Sequence, residues 1–358
     1  MSNLHDDQDN NEILTQFTAK DGEKYQAKYA NDTHAESIVD LFKNIYGWEY
    51  LYPFVYSAKK VREKINHPDQ IWCIITPMES NEVIGLSVIQ KDEIKLYVSK
   101  VNIKRNYQGI GIGRGLGANA FTALIGNPEF RNIRRLDSDV RAYNLNSQKF
   151  IEKTGSKPYG FIPNYNNYGD KRQHKLEKSK PYTNGKIEPV IMYASRFNSF
   201  WRIRNNNIVL FDDDNILLHY NIAKNNNRKM RRDNLTLARE KDLDVERIMI
   251  DEDFFKGCVK FEGHIHEKTL NELLSRYRNW NVIEWRIPVN EKGIYSQRIA
   301  LENEFTVVGY DPGSIFLEEL VDTILFCKFP NGVDHSQFHQ MDLTPRNQKI
   351  AESVIKAL

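Results

Sequence analysis

Val101-Asn102-Ile103-Lys104-Arg105-Asn106-Tyr107-Gln108-Gly109-Ile110-Gly111-Ile112-Gly113-Arg114 is the stretch that decides how this chain reads. A β-branched run passes into a turn of alternating glycines, and a helical pattern with Leu116, Ala120 and Leu124 at fourfold spacing follows directly. Glycine permits positive φ and close approach of the backbone to a ligand. The first N–H groups of a helix have no intrahelical partner, and the helix dipole favours negative charge beside them. Such a turn is suited to hold a pyrophosphate.

Three kinds of glycine loop compete for these residues. A phosphate loop of the Walker type needs Lys-Ser/Thr after its last glycine, where this chain has Arg114-Gly115. A dinucleotide fingerprint begins well at Gly109-Ile110-Gly111 but meets Arg114 where its third glycine belongs. The pattern Q/R-x-x-G-x-G/A is complete in Gln108, Gly111 and Gly113.

Outward from the turn, the flanking segments add to that match. Val101-x-Ile103-x-Arg105-x-Tyr107 precedes it, and Val140, Asn144 and Glu152-Lys153-Thr154-Gly155 follow some thirty residues later. With these motifs, residues 25–194 resemble the GCN5-related N-acetyltransferases. The resemblance implies an α+β (mixed α/β) fold with a central, mostly antiparallel twisted sheet flanked by helices. It also implies acetyl-CoA as acyl donor. The strand Val101-Asn102-Ile103 would pair with the pantetheine arm through backbone groups of Ile103. The N–H groups of Gln108, Gly109, Ile110, Gly111, Ile112, Gly113 and Arg114 would hold the pyrophosphate, and the Asn144 side chain would reach the cofactor. Asn144 also reads as a helix cap, just before Leu145-Asn146-Ser147.

The reaction so implied is attack of an amine on the thioester, which needs a proton acceptor for the amine and a proton donor for the thiolate. Asp139 stands where some members carry the base. The usual acid, a Tyr, is replaced here by Ile151, so Tyr143 becomes the candidate, with Tyr97 and Tyr159 as alternatives. A small-molecule amine is the expected acceptor. Acetylation of a protein lysine or N-terminus, or acyl-CoA binding without turnover, are the alternatives.

The rest of the chain supports a mixed fold. Strands are expected near 25–30, 71–76, 83–89, 94–103, 133–140, 158–162 and 189–194, and helices at about 33–45, 57–65 and 145–153. Asp32 or Thr33 reads as the first helix's cap. The polar stretch Asn164–Lys186 reads as a long loop bordering the acceptor.

With 358 residues, the chain has room for two domains. An offset of 149 aligns Ser147-Gln148-Lys149 with Ser296-Gln297-Arg298 and Gly160-Phe161-Ile162-Pro163 with Gly309-Tyr310-Asp311-Pro312. At that offset Asn144 meets Gly293, and no second glycine turn precedes it. The expected division is a disordered tail over 1–20, an acetyl-CoA-binding domain over 21–195 and a degenerate copy over 196–358.

Composition removes other classes. Lys+Arg 50 against Asp+Glu 48 gives a formal charge of +2, with no global attraction to nucleic acid or an anionic membrane. The acidic, polar start of the chain is unlike a signal peptide, so a cytoplasmic protein, free or as a homodimer, is expected. Cys73, Cys258 and Cys327 are widely spaced in apolar runs and read as buried strand residues. His264, His266, Asp334, His335 and His339 lack the companions of a metal site, so no metal is expected. Arg228–Arg232 reads as a solvated basic loop.

Overall fold

A computed structural model describes residues 13–92, 94–119, 126–174, 180–243, 245–316 and 319–358. It is a mixed α/β structure whose strands pair mostly antiparallel. Contacts divide it into two compact units, 1–138 with 170–172, and 139–169 with 173–358. The division therefore falls within a strand, upstream of residue 195. No helix among the described residues is long and apolar enough to cross a membrane.

The first unit runs β1 (Ile13–Thr18), β2 (Lys24–Tyr29), α1 (Ala35–Tyr46), α2 (Ala58–Ile65), β3 (Gln70–Pro77), β4 (Gly85–Lys91), β5 (Lys95–Ile103), α3 (Ile112–Arg114) and the start of β6 (Arg135–Arg141). Strands β1 to β6 lie in sequence order, antiparallel up to β5, and β5 pairs β6 in parallel. Helix α1 buries Ile38, Leu41 and Phe42 on one face. Asn31, rather than Asp32 or Thr33, caps the preceding turn, its Oδ1 accepting from the Thr33 N–H while His34 Nδ1 accepts from the Asn31 N–H. Ser57 caps α2. Residues 13–18 form a strand on β2, so the expected disordered tail does not extend through residue 20; residues 1–12 lie outside those described.

The second unit contains the end of β6, then α4 (Leu145–Lys153), β7 (Lys157–Tyr168), β8 (Lys186–Arg196), α5 (Asn198–Ile203), β9 (Asn207–Phe211), α6 (Asp214–Asn226), β10 (Asn234–Ala238), β11 (Arg247–Asp253), β12 (Cys258–His264), α7 (Glu267–Arg276), β13 (Val282–Pro288), α8 (Gly293–Glu302), β14 (Thr306–Phe316), β15 (Glu319–Lys328) and α9 (Pro345–Ala357). Its sheet has the order β8-β7-β14-β15-β13-β12-β11, while β9 and β10 pair separately in parallel. The core collects Phe261, Tyr277, Trp285 and Tyr310. All three cysteines are buried on strands, Cys73 on β3, Cys258 on β12 and Cys327 on β15.

The segments related by the offset of 149 occupy like elements, α4 and α8, β7 and β14, and β15 follows β14 as β8 follows β7. Gly160 of β7 pairs with Gly309 of β14, residues 149 positions apart. A Cβ at Gly309 would lie 2.6 Å from the Gly160 Cα and overlap the Tyr159 carbonyl, so this crossing requires glycine. Gln148 and Gln297, also equivalent, are both fully buried. Gln148 donates to the carbonyls of Ala142 and Asp342 and accepts from Asn347 Nδ2, tying α4 to α9. Gln297 instead accepts from the Phe211 N–H at the end of β9.

The polar stretch expected to be a loop from Asn164 is strand as far as Tyr168. Asn166, Asn167 and Tyr168 pair with Glu188, Ile187 and Lys186. Asn suggests a turn by sequence, and Asn164 does take a positive φ of 56° at an irregularity in the pairing. Its polar groups are satisfied inside the fold: Gln337 Oε1 accepts from its N–H, and the Gly332 carbonyl from its Nδ2. Residues 175–179 of that stretch lie outside those described.

Candidate active site

In the first unit, Val88 pairs with Ser99 but Leu86 pairs with Asn102, which leaves one extra residue on β5. That bulge is formed at Lys100, whose φ is 53°, and a bulge bends its strand and re-aims side chains. The parallel pairing of β5 with β6 runs from Lys95↔Arg135 to Tyr97↔Asp137. Lys100 lies three residues past this paired region. Val101 is exposed, Asn102 buried and Ile103 half-buried. Tyr46 at the end of α1 donates to Asn102 Oδ1 at 2.9 Å.

The glycine turn is anchored on both sides. Lys104 N–H bonds the Ile84 carbonyl, and its ammonium pairs with Glu82. The Arg105 guanidinium donates to the Ile45 carbonyl, fixing the turn to the end of α1. Gln108 Nε2 reaches back to the Ile103 carbonyl at 2.9 Å, while the Ile110 carbonyl accepts from the Lys20 N–H at 2.8 Å. Gly109 and Gly111 hold φ of 84° and 107°, and nothing lies closer to a Cβ on Gly111 than Lys20 Cγ at 4.0 Å. Backbone conformation therefore explains these two glycines, and crowding does not.

Two amides of the turn are already bonded, that of Gln108 to the Arg105 carbonyl at 3.3 Å and that of Arg114 to the Gly111 carbonyl at 2.9 Å. Helix α3 then continues as a π-helical segment over Gly115–Asn119. It lies tight against the sheet: a Cβ at Gly115 would overlap the Phe17 ring, and one at Gly85 would sit 3.2 Å from Leu116 Cδ1. Ala120 and Leu124, named for the helical spacing, lie outside the described residues.

Asp139, Tyr143 and Asn144 belong to the second unit. Lys256 Nζ lies 3.5 Å from Asp139 Oδ2 and 4.4 Å from the centre of the Tyr165 ring. Burial, with Glu188 and Asp334 nearby, pushes the Tyr143 phenol up to about 12, and Lys186 lies 5.5 Å over its ring. Asn144 caps α4, its Oδ1 accepting from the Ser147 N–H at 3.0 Å. Ile151 and Tyr159 are buried in the core of this unit, and Tyr97 is half-buried on β5 of the first. Arg141 makes a two-pronged pair with buried Glu188 (2.6 and 2.8 Å) and stacks on Tyr168.

Sequence reasoning passed over the connection between α1 and α2. Tyr46-Gly-Trp48-Glu-Tyr50-Leu-Tyr52-Pro-Phe54-Val-Tyr56 places six aromatic rings in eleven residues. That density, beside Lys43, Lys59, Lys60, Arg62 and Lys64, was the available signal.

No family model and no curated protein matches the sequence. Solved structures do. The ribosomal-protein-S5-alanine acetyltransferase from Vibrio fischeri is similar at 15% identity, over 51% of this chain and 97% of that one, with a TM-score of 0.39. A ribosomal L7/L12 α-N-protein acetyltransferase in complex with coenzyme A matches at 19% identity over 52% of this chain and 99% of its own, TM-score 0.39. Mutant forms of the spermidine/spermine N-acetyltransferase from Vibrio cholerae match at 13% identity over 48% and 94%, TM-score 0.36.

Proposed function

We propose that this chain is an acetyl-CoA-dependent N-acetyltransferase acting on a small-molecule amine. The observation that carries the reading is the continuity of one segment. A strand bulged at Lys100, past its parallel pairing with β6, leads nine residues on into a turn with positive φ at Gly109 and Gly111. A bulged strand offers backbone groups to an extended pantetheine arm. The turn offers amides to a pyrophosphate.

In the reaction the amine nitrogen attacks the thioester carbonyl, a C–N bond forms, the C–S bond breaks, and coenzyme A leaves as the thiol. The proton lost by the amine goes to a base, and the thiolate takes one from an acid. By this reading Asp139 is the base and Tyr143 the acid. The raised phenol supports the second role, since a group that titrates near 12 stays protonated at neutral pH and can donate. Asn144 contributes its amide nitrogen to the cofactor while its oxygen caps α4. Residues 21–195 form the catalytic copy, and 196–358 a degenerate second copy. The Gly160–Gly309 pairing and the twin buried glutamines support the duplication.

Calorimetric titration of acetyl-CoA into the wild type and Gly111→Val is the test. Valine is disfavoured at φ of 107° by about 1–2 kcal/mol and distorts the turn. Affinity is expected to fall at least about tenfold, the equivalent of ~1.4 kcal/mol. Equal affinity would remove the turn from the cofactor site.

A further inference from the structure

The proposed duplication breaks off at one sheet edge. In the first unit β4 pairs β5 antiparallel and β5 pairs β6 in parallel. In the second, β11 pairs β12 antiparallel and β12 pairs β13 in parallel, so β11 stands where β4 does. On its other side β4 is covered by β3, from Gln70↔Gln90 to Ile75↔Gly85. The other side of β11 pairs with no strand among the described residues. Such an edge presents a row of N–H and C=O groups on which another strand can form.

β11 lacks the devices that usually blunt an edge. Its pairing with β12, from Arg247↔His264 to Asp253↔Cys258, runs without a bulge, and its sequence Arg247-Ile-Met-Ile-Asp-Glu-Asp253 has neither Lys nor Pro. Met249 and Ile250 point to opposite faces, yet are 41% and 40% exposed, so the edge is open on both faces. Arg247 and Asp251 are exposed, and neither side chain has an ion-pair or hydrogen-bond partner among the described residues. Lys260, opposite Asp251 on β12, lies 3.8 Å from Glu262 instead. With its positive charge at the start and its negative charges at the end, the strand matches a copy of itself that runs the other way.

We infer that β11 docks on β11 of a second copy of this chain, the two strands antiparallel about a two-fold axis at Met249. Met249 then faces its own counterpart, Ile248 faces Ile250, and Arg247 faces Asp251, each of these last two pairs occurring twice by symmetry. The sequence selects that register. An axis at Ile250 sets Met249 against Asp251 and Ile248 against Glu252, and one at Ile248 sets Arg247 against Met249. An axis at Arg247 or Asp251 opposes like charges. Glu246 meets Glu252 just outside the chosen pairs, but both carboxylates are held within their own unit. Glu246 accepts from Thr269 at 3.0 Å, and Glu252 from the Tyr277 hydroxyl at 2.7 Å and from Arg276 at 3.0 Å. A contact centred on residues 247–251 is small, so a reversible dimer with a Kd on the order of 10 μM is expected.

The test is sedimentation equilibrium of the full chain from about 1 to 300 μM, a range that brackets such a Kd. It compares the wild type, Arg247→Asp, Asp251→Arg and the variant carrying both exchanges. Both side chains are exposed, so the changes leave the fold intact. The wild type is expected to dimerise. Each single exchange sets like charges opposite and is expected to weaken the dimer at least about tenfold. The double exchange restores opposite signs in the same register and is expected to restore the dimer. A wild type that stays monomeric over this range, a dimer indifferent to the single exchanges, or a double exchange that fails to restore it would overturn the inference. None of these outcomes depends on acetyl-CoA affinity, which decides the acetyltransferase reading separately.

Discussion

Lys100 shows how little of a site's cost is written in residue identity. Its φ of 53° places an L-residue in the left-handed region, where glycine has no such penalty. Replacing it with glycine is expected to leave stability unchanged or raise it by up to about 1 kcal/mol in urea unfolding, although glycine also enlarges the unfolded ensemble. A clear loss of stability would show that the lysine holds the fold together. The turn at Gly109–Gly113 was legible because alternating glycines between a strand and a helix serve little except positive φ and close backbone approach. A bulged strand ahead of the turn is implied by the family resemblance, but its place at Lys100 was not legible, because a lysine in a β-branched run carries no mark of positive φ. The rings of Tyr46–Tyr56 were visible letter by letter. Their convergence on Asn102 and Lys100 depends on the end of α1 and the bulge of β5 meeting, which no local pattern encodes.

Elements with apolar periodicity were read closely. Helix α4 runs from Leu145 to Lys153, as its pattern indicates, and β3 to β6 fall within two residues of expectation. Elements whose faces are polar were missed. The strand β1 begins in a polar tail, and the outer half of β7 is Asn-rich, with Asn164 bonded inside the fold.

Packing between elements also sets a pH response. His219 of α6 is buried, with Ser353 of α9 3.4 Å away, and burial lowers its imidazole to about 4. The unfolded imidazole takes its proton near pH 6.5 and the folded one only near 4. Between those values the unfolded chain binds more protons, so stability falls as pH drops from 6.5 toward 4. The contribution is on the order of 3 kcal/mol. In His219→Leu, unfolding midpoints followed by circular dichroism are expected to fall less over this range. An unchanged pH slope would place the titration elsewhere.

At the scale of the whole molecule, length indicated two parts and the repeat indicated their kinship. Neither revealed where contacts divide. Sequence similarity follows a motif to its end near 195, whereas the compact units separate after Ser138, within β6. The carboxylate and phenol assigned to acid–base chemistry thus belong to the second unit, and the bulged strand and glycine turn to the first. The near-neutral charge of +2 hides a locally basic stretch around the aromatic segment, because a chain-wide sum averages over it. Hydrogen exchange of the full chain with and without acetyl-CoA tests the cofactor assignment most directly. Slowed exchange concentrated in residues 98–114 is the expected result. Binding that leaves those amides unprotected, or no binding, would contradict it.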